Sequence, residues 1–141
     1  MNDDGFEIVQ GVVSNDEIVR LSGALENSGP RHLIRFPAVA ALATDRRLLE
    51  IASRWLDSTA FPFRATLFDK SGLRNWFVAW HQDATLPLES RVESPEWGPW
   101  SVKAGVIHAR APAWAMEQIV ALRVHVDEST LDNGPLRVIP G

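Results

Sequence analysis

The chain has 141 residues, a net charge of −4 at pH 7 and no cysteine. This length and an apolar share of 45% suit one domain with a hydrophobic core. The mild acidity argues against a dedicated nucleic-acid binder, and the missing cysteines exclude disulfides and thiolate metal sites.

The acidic start, Met1-Asn2-Asp3-Asp4, lacks the basic and apolar regions of a secretory leader. The longest apolar stretch, residues 36–43, is far too short to cross a bilayer and contains Pro37. A cytoplasmic location without membrane contact is therefore expected.

Residues 6–9 read as a short strand. Ser14 with Glu17 three residues on forms a capping box, and Val13 and Ile18 stand at the hydrophobic-staple positions. Ile18, Leu21 and Leu25 then make one helical stripe, which Gly29-Pro30 ends. A second helix is predicted after Thr44. Leu48, Ile51, Ala52 and Trp55 form its buried face, with Arg46, Arg47, Glu50 and Arg54 solvated. From Phe61 the period changes to two: Phe63, Ala65 and Leu67 alternate with Arg64 and Thr66. Ser71-Gly72 marks a turn, and a strand over residues 75–83 follows.

Residues 84–113 are rich in Pro, Gly, Ser and charge and read as a long excursion. Its position directly after residue 83 suits a lid over a substrate, and residues 102–108 within it can pair as a strand. Residues 119–127 are a clear strand. Val120, Leu122, Val124 and Val126 share one face; Ala121, Arg123, His125 and Asp127 share the other. Asp132-Asn133-Gly134 is a turn signal, and residues 136–139 are the returning strand. Helices first and strands after predict an α+β fold with a mainly antiparallel sheet.

The chemistry concentrates at Trp80-His81-Gln82-Asp83. On a strand, residues i and i+2 face the same way, so His81 and Asp83 project an imidazole and a carboxylate toward one point. Such a pair suits two positions of the two-histidine, one-carboxylate face that binds non-haem Fe(II) and leaves positions open for co-substrate and dioxygen. The spacing by itself is common. Its ordinary reading is a strand end with a hydrogen-bonded His and a solvated Asp.

The chain resembles the phytanoyl-CoA dioxygenase family of Fe(II)- and 2-oxoglutarate-dependent oxygenases. The resemblance rests on Trp80-His81-Gln82-Asp83, on the strand of residues 119–127, and on Asn133-Gly134-Pro135-Leu136 through Pro140-Gly141. The opening Gly5-Phe6-Glu7-Ile8-Val9 is similar to the family's start as well. It covers nearly the whole chain, and the two motifs in this order are jointly specific.

The resemblance implies a double-stranded β-helix (jelly-roll or cupin-like) with N-terminal helices packed outside the sheet and iron in its mouth. It also implies Fe(II), 2-oxoglutarate and dioxygen acting together to hydroxylate a small organic substrate. His81 and Asp83 match the first two iron ligands, and no catalytic residue beyond the metal ligands is expected. Related oxygenases that halogenate lack the carboxylate, so Asp83 favours hydroxylation. The family's last iron-binding His, and the Arg that grips the distal carboxylate of 2-oxoglutarate, belong after the Pro-Gly step. The expectation is thus one oxygenase-like domain over residues 1–141, incomplete at its C-terminus, whose open sheet edges invite self-association.

Other residues carry open alternatives. Arg123 is a solvent-facing arginine or a two-pronged contact to a carboxylate of co-substrate or substrate. Thr66, Lys70 and Asn75 border the metal strand and could donate to 2-oxoglutarate, although a lysine at a turn is ordinarily solvated. Lys103 and His108 are a solvated loop pair or substrate contacts; Trp100 either lines an apolar tunnel or anchors the loop. His125 is more simply a hydrogen-bonded wall residue than a third ligand. Arg91, Lys103 and Arg110 are too scattered for a phosphate-reading patch. The rival functions are an inactive fragment and a metal-free jelly-roll binding module.

Overall fold

Capping sets where the first helix begins. In the computed structural model, which describes residues 4–70 and 75–140, α1 spans Asn15–Leu25. The Ser14 hydroxyl accepts from the Glu17 backbone N–H at 3.4 Å, and Glu17 Oε2 accepts from the Ser14 N–H at 2.8 Å. This reciprocal box is the one read from the sequence, and it stabilises a helix start by about 1 kcal/mol. Leu21 and Leu25 form the buried face. The helix stops before Gly29-Pro30, because the Ser28 N–H and hydroxyl both bond the Leu25 carbonyl.

A 3-10 turn, Leu33–Arg35, leads into α2, Pro37–Ala43. The sequence reading excludes a membrane span for this apolar run and predicts no helix in it. Pro37 at the first helical turn lacks only an N–H that would have no partner there, so it starts the helix rather than breaking it. The expected second helix follows as α3, Arg46–Ser53, capped by Asp45, whose carboxylate accepts from the Arg47 N–H at 2.9 Å. Leu21, Leu25, Leu33 and Val39 form a core, with Phe36, Leu42, Ala65, Leu67 and Val126 packed on it.

Arg47 is not simply solvated. Its guanidinium pairs with Glu17 at 2.6 Å and Asp45 at 2.8 Å, and donates to the Val12 carbonyl at 2.7 Å. It thereby ties the start of α1 to the start of α3. Hydrogen bonds from Arg47, then from Ser14, lower the Glu17 carboxyl from its ordinary 4.5 to about 2. Arg47 likewise lowers Asp45 from 3.8 to about 2, first through its side chain and then through its backbone N–H. Because both folded values lie below the unfolded ones, this stabilisation is present above about pH 4.5 and is lost as pH falls toward 2. Arg47→Met is expected to melt below the parent chain at pH 7, with the gap narrowing between pH 4.5 and 2. Thermal melts followed by circular dichroism across that range check this, and a gap independent of pH would contradict it.

The sheet lies where the irregular excursion was expected. β1, Thr85–Leu88, and β2, Trp100–Lys103, both pair antiparallel with β3, Val106–Arg110, in the order β1-β3-β2. β2 and β3 form a hairpin whose two loop residues, Ala104 (φ 50°) and Gly105 (φ 80°), both take left-handed backbone. That is the two-residue turn matching the twist of paired strands. Leu86 packs with Ala111 and with Ala115 of the short helix α4, Ala113–Met116.

The strands expected at residues 6–9, 61–67, 75–83, 119–127 and 136–139 carry no ladder among the described residues. Their alternation persists in part as burial: Ala65 and Leu67 are half-buried with Thr66 exposed, and Val124 and Val126 are half-buried with Arg123 and His125 exposed. Residues 65 and 67 bond the 30–33 segment through Leu33 N–H to Ala65 O (3.2 Å) and Leu67 N–H to Pro30 O (3.0 Å). A period of two dictates extended backbone, not a bonded neighbour. The turn at Ser71-Gly72 lies outside the described residues. The architecture is therefore mixed α+β, a small antiparallel sheet with flanking helices, and the three strands are not closed into a barrel. No helix among the described residues is long and apolar enough to cross a membrane.

Candidate metal centre

His81 and Asp83 converge, although their segment is not a strand. His81 Nε2 stands 3.9 Å from Asp83 Oδ1. His81 Nδ1 lies 2.7 Å from the Ala79 carbonyl, which can only accept. In the neutral ring that bond assigns the proton to Nδ1 and leaves the Nε2 lone pair facing the carboxylate. Fixing one ring nitrogen with a backbone carbonyl is the usual device that frees the other for a metal. Two ligands about 2.1 Å from a metal at a right angle stand about 3 Å apart. The Asp83 side chain is 73% exposed and free to rotate through the difference. The pair thus fits two positions of a ferrous site. Among the described residues, no three His, Cys, Asp or Glu side chains gather to hold a metal, so His125 does not complete the set.

The segment of the second motif packs against Lys70, Asn75 and Trp80, which precede this pair in the chain. The 3-10 turn Leu131–Asn133 is closed by Asn133, whose side chain accepts from the Thr130 N–H at 2.8 Å and donates to the Glu128 carbonyl at 2.6 Å. Gly134 follows with φ 66°. A Cβ placed there would lie 2.9 Å from Lys70 Cδ and 3.0 Å from Asn75 Oδ1, so any other residue would push these side-chain ends aside as well as strain the backbone. Lys70 Nζ donates to the Trp76 carbonyl at 2.9 Å and sits 4.7 Å from the centre of the Trp76 ring. Asn75 Oδ1 accepts from the Trp76 N–H at 2.9 Å. A second contact sets the Arg137 guanidinium 5.4 Å from the Trp80 ring centre.

The proposed co-substrate residues are therefore divided. Lys70 and Asn75 come together under Gly134, while Thr66 and Arg123 are exposed and bond neither of them. The sequence reading nominated neither Trp80, Gly134 nor Arg137 for this junction. Asn133-Gly134 was legible as a turn, but nothing in the sequence told which segment the turn would press against.

The substrate nominees divide as well. The register pairs Ser101 with His108 and Trp100 with Ala109, so Trp100 lies on the opposite sheet face from His108 and Lys103. On that opposite side, Trp100 helps line an open depression of about 550 Å³ with Arg91, Glu93 and Trp97. Arg91 lies 5.5 Å from the Trp100 ring centre. Trp97 meets Trp114 edge-on at 6.1 Å.

The unit is mixed α+β and carries a His-x-Asp pair and an Asn-Gly turn. The phytanoyl-CoA dioxygenase (PhyH) family matches residues 1–141, and the chain belongs to that family. It is similar to the ectoine dioxygenase of Sphingopyxis alaskensis (strain DSM 13593 / LMG 18877 / RB2256), with 26% identity over 161 residues. The match covers 98% of this chain and 46% of that protein, so the chain spans about half the length of this relative. No solved structure matches it.

Proposed function

We propose that this chain forms the part of an Fe(II)- and 2-oxoglutarate-dependent dioxygenase that supplies two iron ligands, His81 and Asp83. On its own it is an incomplete module that does not turn over. The observation that carries the reading is the 3.9 Å approach of Nε2 and Oδ1 in a chain of this family. The observation that favours the inactive form is the lack of a third ligand among the described residues. Two ligands hold Fe(II) more weakly than three and do not fix a facial geometry.

In this reading, iron supplies the redox chemistry once bound, and the protein supplies position and charge. Asp83 offsets part of the metal's charge while His81 is held in one tautomer by Ala79. The Lys70 ammonium uses one of its three N–H groups on Trp76, leaving two for a carboxylate of 2-oxoglutarate. Asn75 and the Gly134 backbone keep that lysine in place. The finer fold, a double-stranded β-helix, is part of the same proposal, as is a covering role for residues 84–113. The likeness to an ectoine dioxygenase supports a small organic substrate.

Anaerobic titration of the chain with Fe(II) and 2-oxoglutarate tests this. The expected result is weak, saturable Fe(II) binding and no succinate after exposure to air. A visible charge-transfer band with succinate formation would show that the chain is a complete enzyme. No Fe(II) binding at all would favour the metal-free module.

A further inference from the structure

We propose that the sheet face around Thr85 binds the carboxylate of a small organic acid. The register places Thr85 opposite Arg110, and His108 opposite both Pro87 and Ser101. Directly opposed residues share a face, and alternate residues along a strand do too. Thr85, Lys103, His108 and Arg110 therefore stand on one side of the sheet. Two cations that look scattered in the sequence are gathered there by strand pairing.

The Lys103 side chain begins on one outer strand and ends on the other. Its Nζ donates to Thr85 Oγ1 at 3.3 Å, which takes it across the central strand that carries His108. His108 is 6% exposed and is the one buried polar or charged side chain among the described residues. Its Nδ1 is engaged at 3.0 Å by the Val106 carbonyl, so the ring serves as a fixed floor.

The donors around Thr85 remain unused. Lys103 keeps two N–H groups, Thr85 accepts from Lys103 and so has its own hydroxyl proton to give, and the Arg110 fork is exposed. Neither cation has a carboxylate partner among the described residues, where the ion pairs are those of Arg46, Arg47, Arg54 and His81. Two uncompensated positive charges flanking a hydroxyl form a receptor for a small anion. Thr85 lies two residues beyond Asp83, roughly 7 Å of extended chain. On this short separation we place the acid's neighbouring carbons near a metal held by His81 and Asp83. That placement rests on the iron reading above; the binding itself does not.

The experiment uses the metal-free full chain at constant ionic strength, titrated with sodium propionate and followed by 1H–15N shifts. Saturable shifts centred on Thr85, Lys103 and Arg110 are expected with propionate and not with neutral propionamide. Lys103→Gln and Arg110→Gln are each expected to weaken binding about fivefold or more while keeping a dispersed spectrum. Equal responses to acid and amide, or no effect of either cation's removal, would overturn the proposal. Inorganic phosphate binding tenfold tighter than propionate would overturn the carboxylate assignment. Fe(II) binding by the parent chain without a propionate response overturns this proposal and leaves the iron reading standing, whereas a propionate response without Fe(II) binding supports this proposal and removes the iron reading.

Discussion

Replacing His81 with alanine is expected to weaken Fe(II) binding at least tenfold, and Asp83→Ala is expected to do the same. Each removes one of the two side chains that meet at 3.9 Å, leaving a single donor that holds no metal in a defined geometry. Loss of a supporting partner alone typically costs roughly 10–100-fold in metal affinity, so loss of a ligand costs no less. The effects should not add, because the double variant has no pair left to break. Both side chains are more than half exposed, so neither substitution removes packing, and thermal stability without metal should stay within about 0.5 kcal/mol of the parent. Competition against a chromogenic chelator under anaerobic conditions measures the affinity. Equal Fe(II) binding by the parent chain and both variants would remove the metal assignment. Asp83→Glu offers a finer check: it keeps the charge but moves the carboxylate, and it should retain more affinity than alanine.

Gly134→Ala is expected to destabilise the chain by about 1–2 kcal/mol, through backbone strain and a collision. A residue with a Cβ at φ 66° meets its own carbonyl at a cost of roughly that size. The added methyl would also stand 2.9 Å from Lys70 Cδ and 3.2 Å from Lys70 Nζ. The lysine tip can swing aside, but only by giving up the Trp76 carbonyl and ring. The collision part should therefore shrink in a Lys70→Ala background, while the strain part should not. Gly134→Asn separates them from the other side, since asparagine tolerates left-handed backbone yet still carries the Cβ. Urea unfolding of the four single and double variants gives the coupling. A Gly134→Ala chain as stable as its parent would mean that Gly134 does not meet Lys70 as described.

The parts of the fold legible in the sequence are those with a local cause. Ser14 and Glu17 bond each other across three residues, so their capping box was readable from spacing alone. The buried face of α3 follows from its period, with Leu48, Ile51 and Ala52 inside. Helix α2 is not predicted from the sequence: its seven residues are apolar almost throughout, so no helical period stands out. The sheet was legible only in part: residues 102–108 are expected to pair and do, as the two arms of the β2–β3 hairpin, but residues 84–113 carry turn-forming residues between very short strands. β1, β2 and β3 have only four, four and five residues, too few for alternation to stand out. The opposite error occurred at residues 119–127, where clear alternation accompanies no ladder.

The candidate site divides along the same line. The closeness of His81 and Asp83 was legible because two residues of extended chain bring side chains to one side, ladder or no ladder. The fixing of His81 by Ala79 is equally local. By itself the sequence determined the capped helices, the His-x-Asp pair and the left-handed turn at Gly134, since each depends on residues a few positions apart. Tertiary structure alone decided that Gly134 presses on Lys70 and Asn75, that Arg137 meets Trp80, and that Lys103 crosses the sheet to Thr85. Those contacts join residues 18 to 64 positions apart, and chain periodicity carries no information on which distant surface an exposed cation or a bare backbone will find.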